Sequence, residues 1–246
     1  MLLEQTLAKM GTMRLTTMAA SLEQRLKLGE HHNVSTEEFI GMLVDDEYTA
    51  RQNRRLSRTI AKADFKPEQA CIENIKYSPA RGFQKKDIMQ FTTPTWLTNA
   101  QNIIFIGATG VGKSYLAEAI ALQACKMGYT ALKVRFKRLF DVIREQKGTG
   151  QYLKFVARLT KTSVLILDDF LMDPVTEQEL SDLMDILEDR AQHTATIITT
   201  QYPIKKWHSA IANPTVADAI CDRLTHASII FNLKGDTMRK KSEIID

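Results

Sequence analysis

The chain has 246 residues, 44% hydrophobic and 25% charged, with 33 Lys+Arg against 29 Asp+Glu and three cysteines. These proportions suit a folded chain of one large domain, or an average one plus a small one, and exclude disorder, collagen-like repeats and a disulfide scaffold. The formal charge of +4 permits nucleic-acid binding without requiring it.

From the N-terminus, Glu4, Lys9 and Arg14 interrupt every apolar run, so neither a signal core nor a membrane span is expected. Cys71, Cys125 and Cys221 form no C-x-x-C pair and no zinc-ligand spacing, which points to a reducing, cytoplasmic setting. Met13, Leu15, Met18, Leu22 and Leu26 mark one helical stripe, with Gly29 as its stop. Ser35 and Glu38 form a capping box opening a helix that runs toward Phe65, where Pro67 ends it. That helix spans about 45 Å. Ile72 to Asn102, with Pro79, Gly82 and Pro94, reads as a linker, dividing the chain into a helical domain over 1–70 and a second domain over 71–246.

In the second domain strands alternate with helices. Strands are expected at Asn102–Ile106, Ala131–Phe136, Val164–Leu167, Thr196–Thr200 and Ser228–Asn232. Helices are expected at Lys113–Met127, in two stretches between Lys137 and Thr160, from Glu177 behind a Thr176/Glu179 capping box, and at Thr215–Thr225. Five β-runs separated by helices imply an α/β fold with a largely parallel sheet covered on both faces.

Gly107-Ala108-Thr109-Gly110-Val111-Gly112-Lys113-Ser114 fits G-x-x-x-x-G-K-S/T, between an apolar strand and the helix that Tyr115 continues. Its backbone amides, with the helix N-terminus, form an anion nest for nucleotide phosphates. Lys113 supplies a point charge for the β and γ phosphates, and the Ser114 hydroxyl is a hard ligand for Mg²⁺. Val164-Leu165-Ile166-Leu167-Asp168-Asp169 is a buried strand delivering two acids to its C-terminal edge. Asp168 is the candidate holder of metal-bound water and Asp169 the candidate polariser of the attacking water. No N-K-x-D guanine-reading motif is present, which disfavours a GTPase.

The P-loop, Leu165–Phe170, Thr196–Gln201, Ala217–Leu224 and Leu233–Lys240 together resemble the AAA+ ATPases of the initiator and helicase-loader clade. The closest likeness is to the IstB family, helper ATPases of transposition in one class of bacterial insertion sequence. The resemblance implies an AAA+ P-loop core with a five-stranded parallel sheet, binding ATP and Mg²⁺ between subunits of a homo-oligomeric ring or filament. It further implies that Gln201 is a sensor-1 residue, Arg223 an arginine finger for a neighbour's γ-phosphate and Arg239 a sensor-2-like arginine. Asp169 stands where most AAA+ proteins have Glu, which implies slow turnover. The 14 residues after Asn232 are too few for the helical lid common in AAA+ proteins.

Two basic groups are candidates for DNA. Arg51, Arg54, Arg55, Arg58 and Lys62 fall within an arc of about 100° on the long helix, opposite Leu56, Ile60 and Ala63. Such a stripe suits phosphate contact along a duplex, and equally a solvated helix face. Lys133, Arg135, Lys137 and Arg138 lie where the resemblance places an insert facing DNA. The combined expectation is an ATP- and Mg²⁺-dependent helper that assembles on double-stranded DNA, presents it to a transposase and is switched by hydrolysis. A DnaC-type loader of a replicative helicase is the alternative, and a small-molecule P-loop kinase is a third reading.

Overall fold

The computed structural model describes residues 2–65 and 70–238. The chain divides into two compact units, Met1–Arg58 and Thr59–Asp246.

The first unit is helical: α1 (Leu2–Thr12), α2 (Thr16–Lys27) and most of α3 (Thr36–Lys62). The single stripe expected through Met13 is broken between α1 and α2. The Leu15 amide bonds the Met10 carbonyl at 2.8 Å and the Arg14 amide bonds Gly11 at 2.9 Å, with Arg14 left-handed at φ 59°. This is a Schellman stop on a non-glycine residue, and it leaves Met13 exposed. Gly29 ends α2 in the left-handed region as expected, at φ 70°. The Ser35/Glu38 box forms, with bonds of 3.0 and 3.2 Å.

Among the described residues of this unit only Met10 and Leu43 are buried apolar residues, and acids do much of the joining. The buried Glu47 carboxylate accepts from the Thr17 and Met18 amides at 2.9 and 3.0 Å, capping α2 from α3. Asp46 accepts from Ser21 at 2.5 Å and from Arg25 at 3.0 Å. Helix α3 ends at Lys62, and Asp64 turns the chain at φ 57°. Pro67, the expected terminator, lies outside the described residues. The unit boundary falls before residue 70 because the end of α3 belongs with the second unit, where the Ala63 carbonyl accepts the Lys133 amide at 2.7 Å.

The second unit is built on strands β1 (Ile103–Ile106), β2 (Ala131–Arg135), β3 (Val164–Asp168), β4 (Ala195–Thr200) and β5 (Ile229–Asn232). They form one parallel sheet in the order β2-β3-β4-β1-β5. Strands β1, β3 and β4 are buried along their whole length, which explains the apolar runs Ile103–Ile106 and Val164–Leu167, while β4 buries threonines beside its isoleucines. Ile104, Ile106, Leu132, Leu165, Leu167 and Ile198 point to one face. There they pack with α7 (Phe136–Gly148), α8 (Tyr152–Lys161), α9 (Glu177–Arg190), α10 (Trp207–Ala210) and α11 (Pro214–Thr225). Helix α6 (Lys113–Lys126) packs against β1 to β4.

The segment expected to be a linker is ordered core. It contains α4 (Lys85–Met89), α5 (Thr95–Thr98) and three short 3-10 turns, and it buries Phe83, Ile88, Phe91, Trp96 and Leu97. Phe91 meets Trp96 and Phe231 edge-on, and Phe231 stacks on Phe105 at 5.1 Å. Proline and glycine set its turns without removing its apolar anchors.

Candidate nucleotide site

The C-terminal ends of β1, β3 and β4 lie side by side, because the order places β4 between the other two. In an open α/β sheet this edge holds the ligand crevice. The P-loop leaves β1, turns at Gly110 (φ 87°) and Gly112 (φ 97°), and enters α6 at Lys113. A Cβ at Gly110 would strike the Thr237 hydroxyl, so this position needs glycine on packing grounds as well as torsional ones.

A cavity of about 550 Å³ opens over this loop, lined by Thr109, Gly110, Gly112, Lys113, Ser114, Tyr115, Asp169 and Gln201 among others. Lys113 is buried and its ammonium donates to the Gly107 and Ala108 carbonyls at 2.8 and 2.9 Å, folding back over the loop. The Ser114 hydroxyl donates to Asp168 Oδ1 at 2.7 Å, and Thr199 Oγ1 donates to the same oxygen at 2.5 Å. Thr199 in turn accepts the Asp169 amide at 3.2 Å, which holds Asp169 at a left-handed φ of 59°. Ser114 lines the cavity and Asp168 stands behind it, so the two bring hard oxygens together, a donor set that fits Mg²⁺ held jointly with phosphate oxygens.

Two basic side chains of β2 pair with the two acids. Lys133 Nζ lies 3.0 Å from Asp168 Oδ2 and 2.6 Å from Glu118 Oε1. Arg135 lies 3.3 Å from Asp169 Oδ2. Burial works to raise the Asp168 pKa, but hydrogen bonds from Thr199 and Ser114 and the Lys133 charge overcome it and leave the carboxyl below its usual range. Burial likewise opposes the Lys133 ammonium, and Glu118 and Asp168 outweigh it, raising its pKa. The Lys133 ammonium, expected to face DNA, is instead turned inward to these two acids, and its side chain is only 20% exposed. Strand alternation showed which residues share a face but not that this face meets α6.

Gln201 follows β4 and lines the cavity. Arg223 is not among the cavity's lining residues; it sits on α11, ion-paired with Glu188 and donating to the Ala219 carbonyl at 3.1 Å. Arg239 lies outside the described residues. Arg81 comes from the segment read as a linker. Its guanidinium donates to the Val111 carbonyl at 2.9 Å and lines the cavity with Asn74, Ile75 and Lys76. Burial pushes Arg81 below its ordinary pKa. No motif flagged it. Thr199 and Glu118 were also missed, the first hidden in an apolar strand and the second on an unexceptional helix.

Of the basic groups, Arg51 pairs with Glu47 at 2.7 Å and bonds the Arg14 carbonyl, and Arg54 reaches the same carboxylate at 3.2 Å. Arg55, Arg58 and Lys62 are exposed. Arg135, Lys137 and Arg138 line an open recess that Asp169 also borders. Lys137 meets Asp173 there at 3.3 Å.

The model of IstB-like ATP binding proteins matches residues 8–244. An insertion sequence ATP-binding protein of Sinorhizobium fredii, y4pL, is 37% identical over 98% of both chains. A second such protein, from Pseudomonas fluorescens, is 34% identical over 82% of this chain and 88% of its own. Among solved structures, DnaI superposes with a TM-score of 0.60 at 17% identity, over 70% of this chain and 96% of that one. The DnaC helicase loader gives 0.56 at 19%, over 68% and 98%. These two likenesses show an AAA+ P-loop-type fold, and the family match over residues 8–244 shows that the chain belongs to the IstB-like ATP-binding proteins.

Proposed function

We propose that this chain is a cytoplasmic, Mg²⁺-dependent ATPase that helps an insertion-sequence transposase by assembling on duplex DNA and is switched by slow hydrolysis. The observation that carries the reading is the joint placement of Ser114, Asp168 and Asp169 beside the P-loop, in a chain whose relatives are named for insertion sequences. Mg²⁺ would be held by Ser114, with Asp168 on its water, and would supply charge neutralisation between the phosphates.

The P-loop amides and Lys113 bind the phosphates. Asp169 accepts a proton from the attacking water, and Gln201 orients the γ-phosphate end of the cavity. Arg223, away from its own cavity, suits a trans guanidinium that a neighbouring subunit's phosphate draws from Glu188. Arg239 has the sensor-2-like role in this reading.

The second reading, a helicase loader, is favoured by the likeness to DnaI and DnaC, which covers 70% and 68% of the chain. The insertion-sequence relative matches along 98%, including the helical first unit. Lys113→Ala should abolish nucleotide-dependent assembly on duplex DNA, read by analytical ultracentrifugation with and without ATP. Unchanged assembly would remove the P-loop from the function. Stimulation of strand transfer by the transposase of the same element supports the helper reading, whereas capture of replicative helicase without any effect on strand transfer supports the loader.

A further inference from the structure

We propose that Lys133 and Glu118 are a charge-setting pair for Asp168, making Lys133 a positioning residue that limits how tightly the nucleotide site holds a divalent cation and Glu118 the residue that offsets it. The inference rests on the reading of Ser114 and Asp168 as the metal-holding pair.

Asp168 is gripped at both oxygens by different chemistry. Oδ1 accepts from the Ser114 and Thr199 hydroxyls at 2.7 and 2.5 Å, while Oδ2 faces the Lys133 ammonium at 3.0 Å. Lys133 stands opposite Ile166 in the β2–β3 register, two positions before Asp168, and its stem extends along the strand to reach the acid. Glu118 lies one helical turn beyond Ser114 on α6, on the same side of the helix, and bonds Lys133 at 2.6 Å. One face of α6 therefore addresses Asp168 twice, directly through Ser114 and through the Glu118–Lys133 pair.

All three charged side chains are largely shielded from water, with exposures of 10% for Asp168, 14% for Glu118 and 20% for Lys133. Screening between them is weak. As a unit the three carry one net negative charge. Without Lys133 two carboxylates remain; without Glu118 the net charge is zero. A divalent cation at Ser114 and Asp168 senses that difference, and Coulomb's law at an effective dielectric near 40 over about 6 to 8 Å gives roughly a thirty- to hundredfold change in affinity for each alteration.

The test is Mn²⁺ binding to the full chain with a non-hydrolysable ATP analogue, read from the free-ion electron paramagnetic resonance signal. Lys133→Met should tighten Mn²⁺ roughly thirty- to hundredfold, Glu118→Gln should weaken it by a similar factor, and the double variant should return near wild type. A merely structural pair predicts the reverse pattern: both single variants bind worse, with thermal unfolding lowered in parallel. Single variants that leave the affinity unmoved, or move it in the same direction, overturn the proposal. If Lys133→Met does not fold, weakening by Glu118→Gln and recovery in the double variant carry the same decision. Ser114→Ala separates the underlying reading. Loss of Mn²⁺ affinity in Ser114→Ala, with Lys133→Met and Glu118→Gln both at wild-type affinity, defeats only the charge-setting role. Unchanged affinity in Ser114→Ala defeats the metal assignment and the proposal together.

Discussion

If Asp169 takes the water's proton as proposed, its exposed contact with Arg135 restrains it. Asp169 borders both the nucleotide cavity and the recess in which Arg135, Lys137 and Arg138 face Asp141, Glu145 and Asp173, and its carboxylate faces the Arg135 guanidinium at 3.3 Å. To engage a water in the cavity, this carboxylate has to leave its guanidinium partner. The pair is solvent-exposed, at 70% and 39%, so its worth is at most about 1 kcal/mol. Arg135→Gln should therefore raise basal phosphate release modestly, by up to roughly fivefold, while Asp169→Asn abolishes it and leaves nucleotide binding intact. Phosphate release in Arg135→Gln at or below the wild-type rate would show that the contact does not restrain Asp169. The phosphate-binding residues were legible in the sequence because glycine, lysine and serine at fixed spacing have few other uses. Lys133, Glu118 and Thr199 were not legible. Their roles depend on which helix covers which face of β2 and β3, and nothing local to those residues encodes that.

At the level of elements, charged side chains do work that apolar burial does elsewhere. Arg190, at the end of α9, is 1% exposed and donates to the Leu159, Thr162 and Ala195 carbonyls at 2.5, 2.8 and 2.5 Å. It thereby ties the end of α8 and the entrance of β3 to the start of β4. Arg190→Met fills the volume but leaves buried carbonyls unbonded, so a loss of about 3 kcal/mol is expected in urea unfolding, and Arg190→Lys should not restore it because one ammonium cannot span all three. A loss under about 1 kcal/mol would mean water replaces the guanidinium.

In the first unit the corresponding anchor is Glu47. Its carboxyl is pushed down to about 2, chiefly by Arg51 and the Met18 amide against the cost of burial. The sign follows from linkage: a depressed carboxyl stabilises the fold fully above its ordinary pKa near 4.5 and loses that contribution as pH falls through about 2. The difference in thermal unfolding between wild type and Glu47→Gln should accordingly be widest above pH 4.5 and shrink toward pH 2, and a gap independent of pH would remove the charge from the explanation. The same unit shows where periodicity misleads. The stripe through Met13 and Leu15 continues in register across a break that only backbone bonds at Met10 and Gly11 reveal. From Ile72 to Asn102, punctuation by proline and glycine masked seven buried apolar side chains, of which Phe91 meets Phe231 of β5.

Across the whole molecule, the net charge of +4 conceals a concentration of basic residues along α3, where Arg51, Arg54, Arg55, Arg58 and Lys62 follow one another with no acid between them. Arg51 and Arg54 are committed to Glu47 and support the fold, so neutralising them confounds stability with binding. Arg55, Arg58 and Lys62 are exposed on the continuation of the same helix. If this stretch meets duplex phosphates, each neutralised contact releases fewer counterions, and the slope of log K against log salt flattens by roughly 0.9 per contact. Gln at Arg55, Arg58 and Lys62 together should flatten it by about 2 to 3 and weaken binding similarly across unrelated duplexes, because phosphate contacts carry no sequence code. The measurement is fluorescence anisotropy of a labelled duplex from low to moderate salt, with ATP present and unfolding monitored in parallel. An unchanged slope in a folded triple variant would make the stripe a solvated helix face and move the DNA contact elsewhere, with the recess of Arg135, Lys137 and Arg138 the next surface to neutralise.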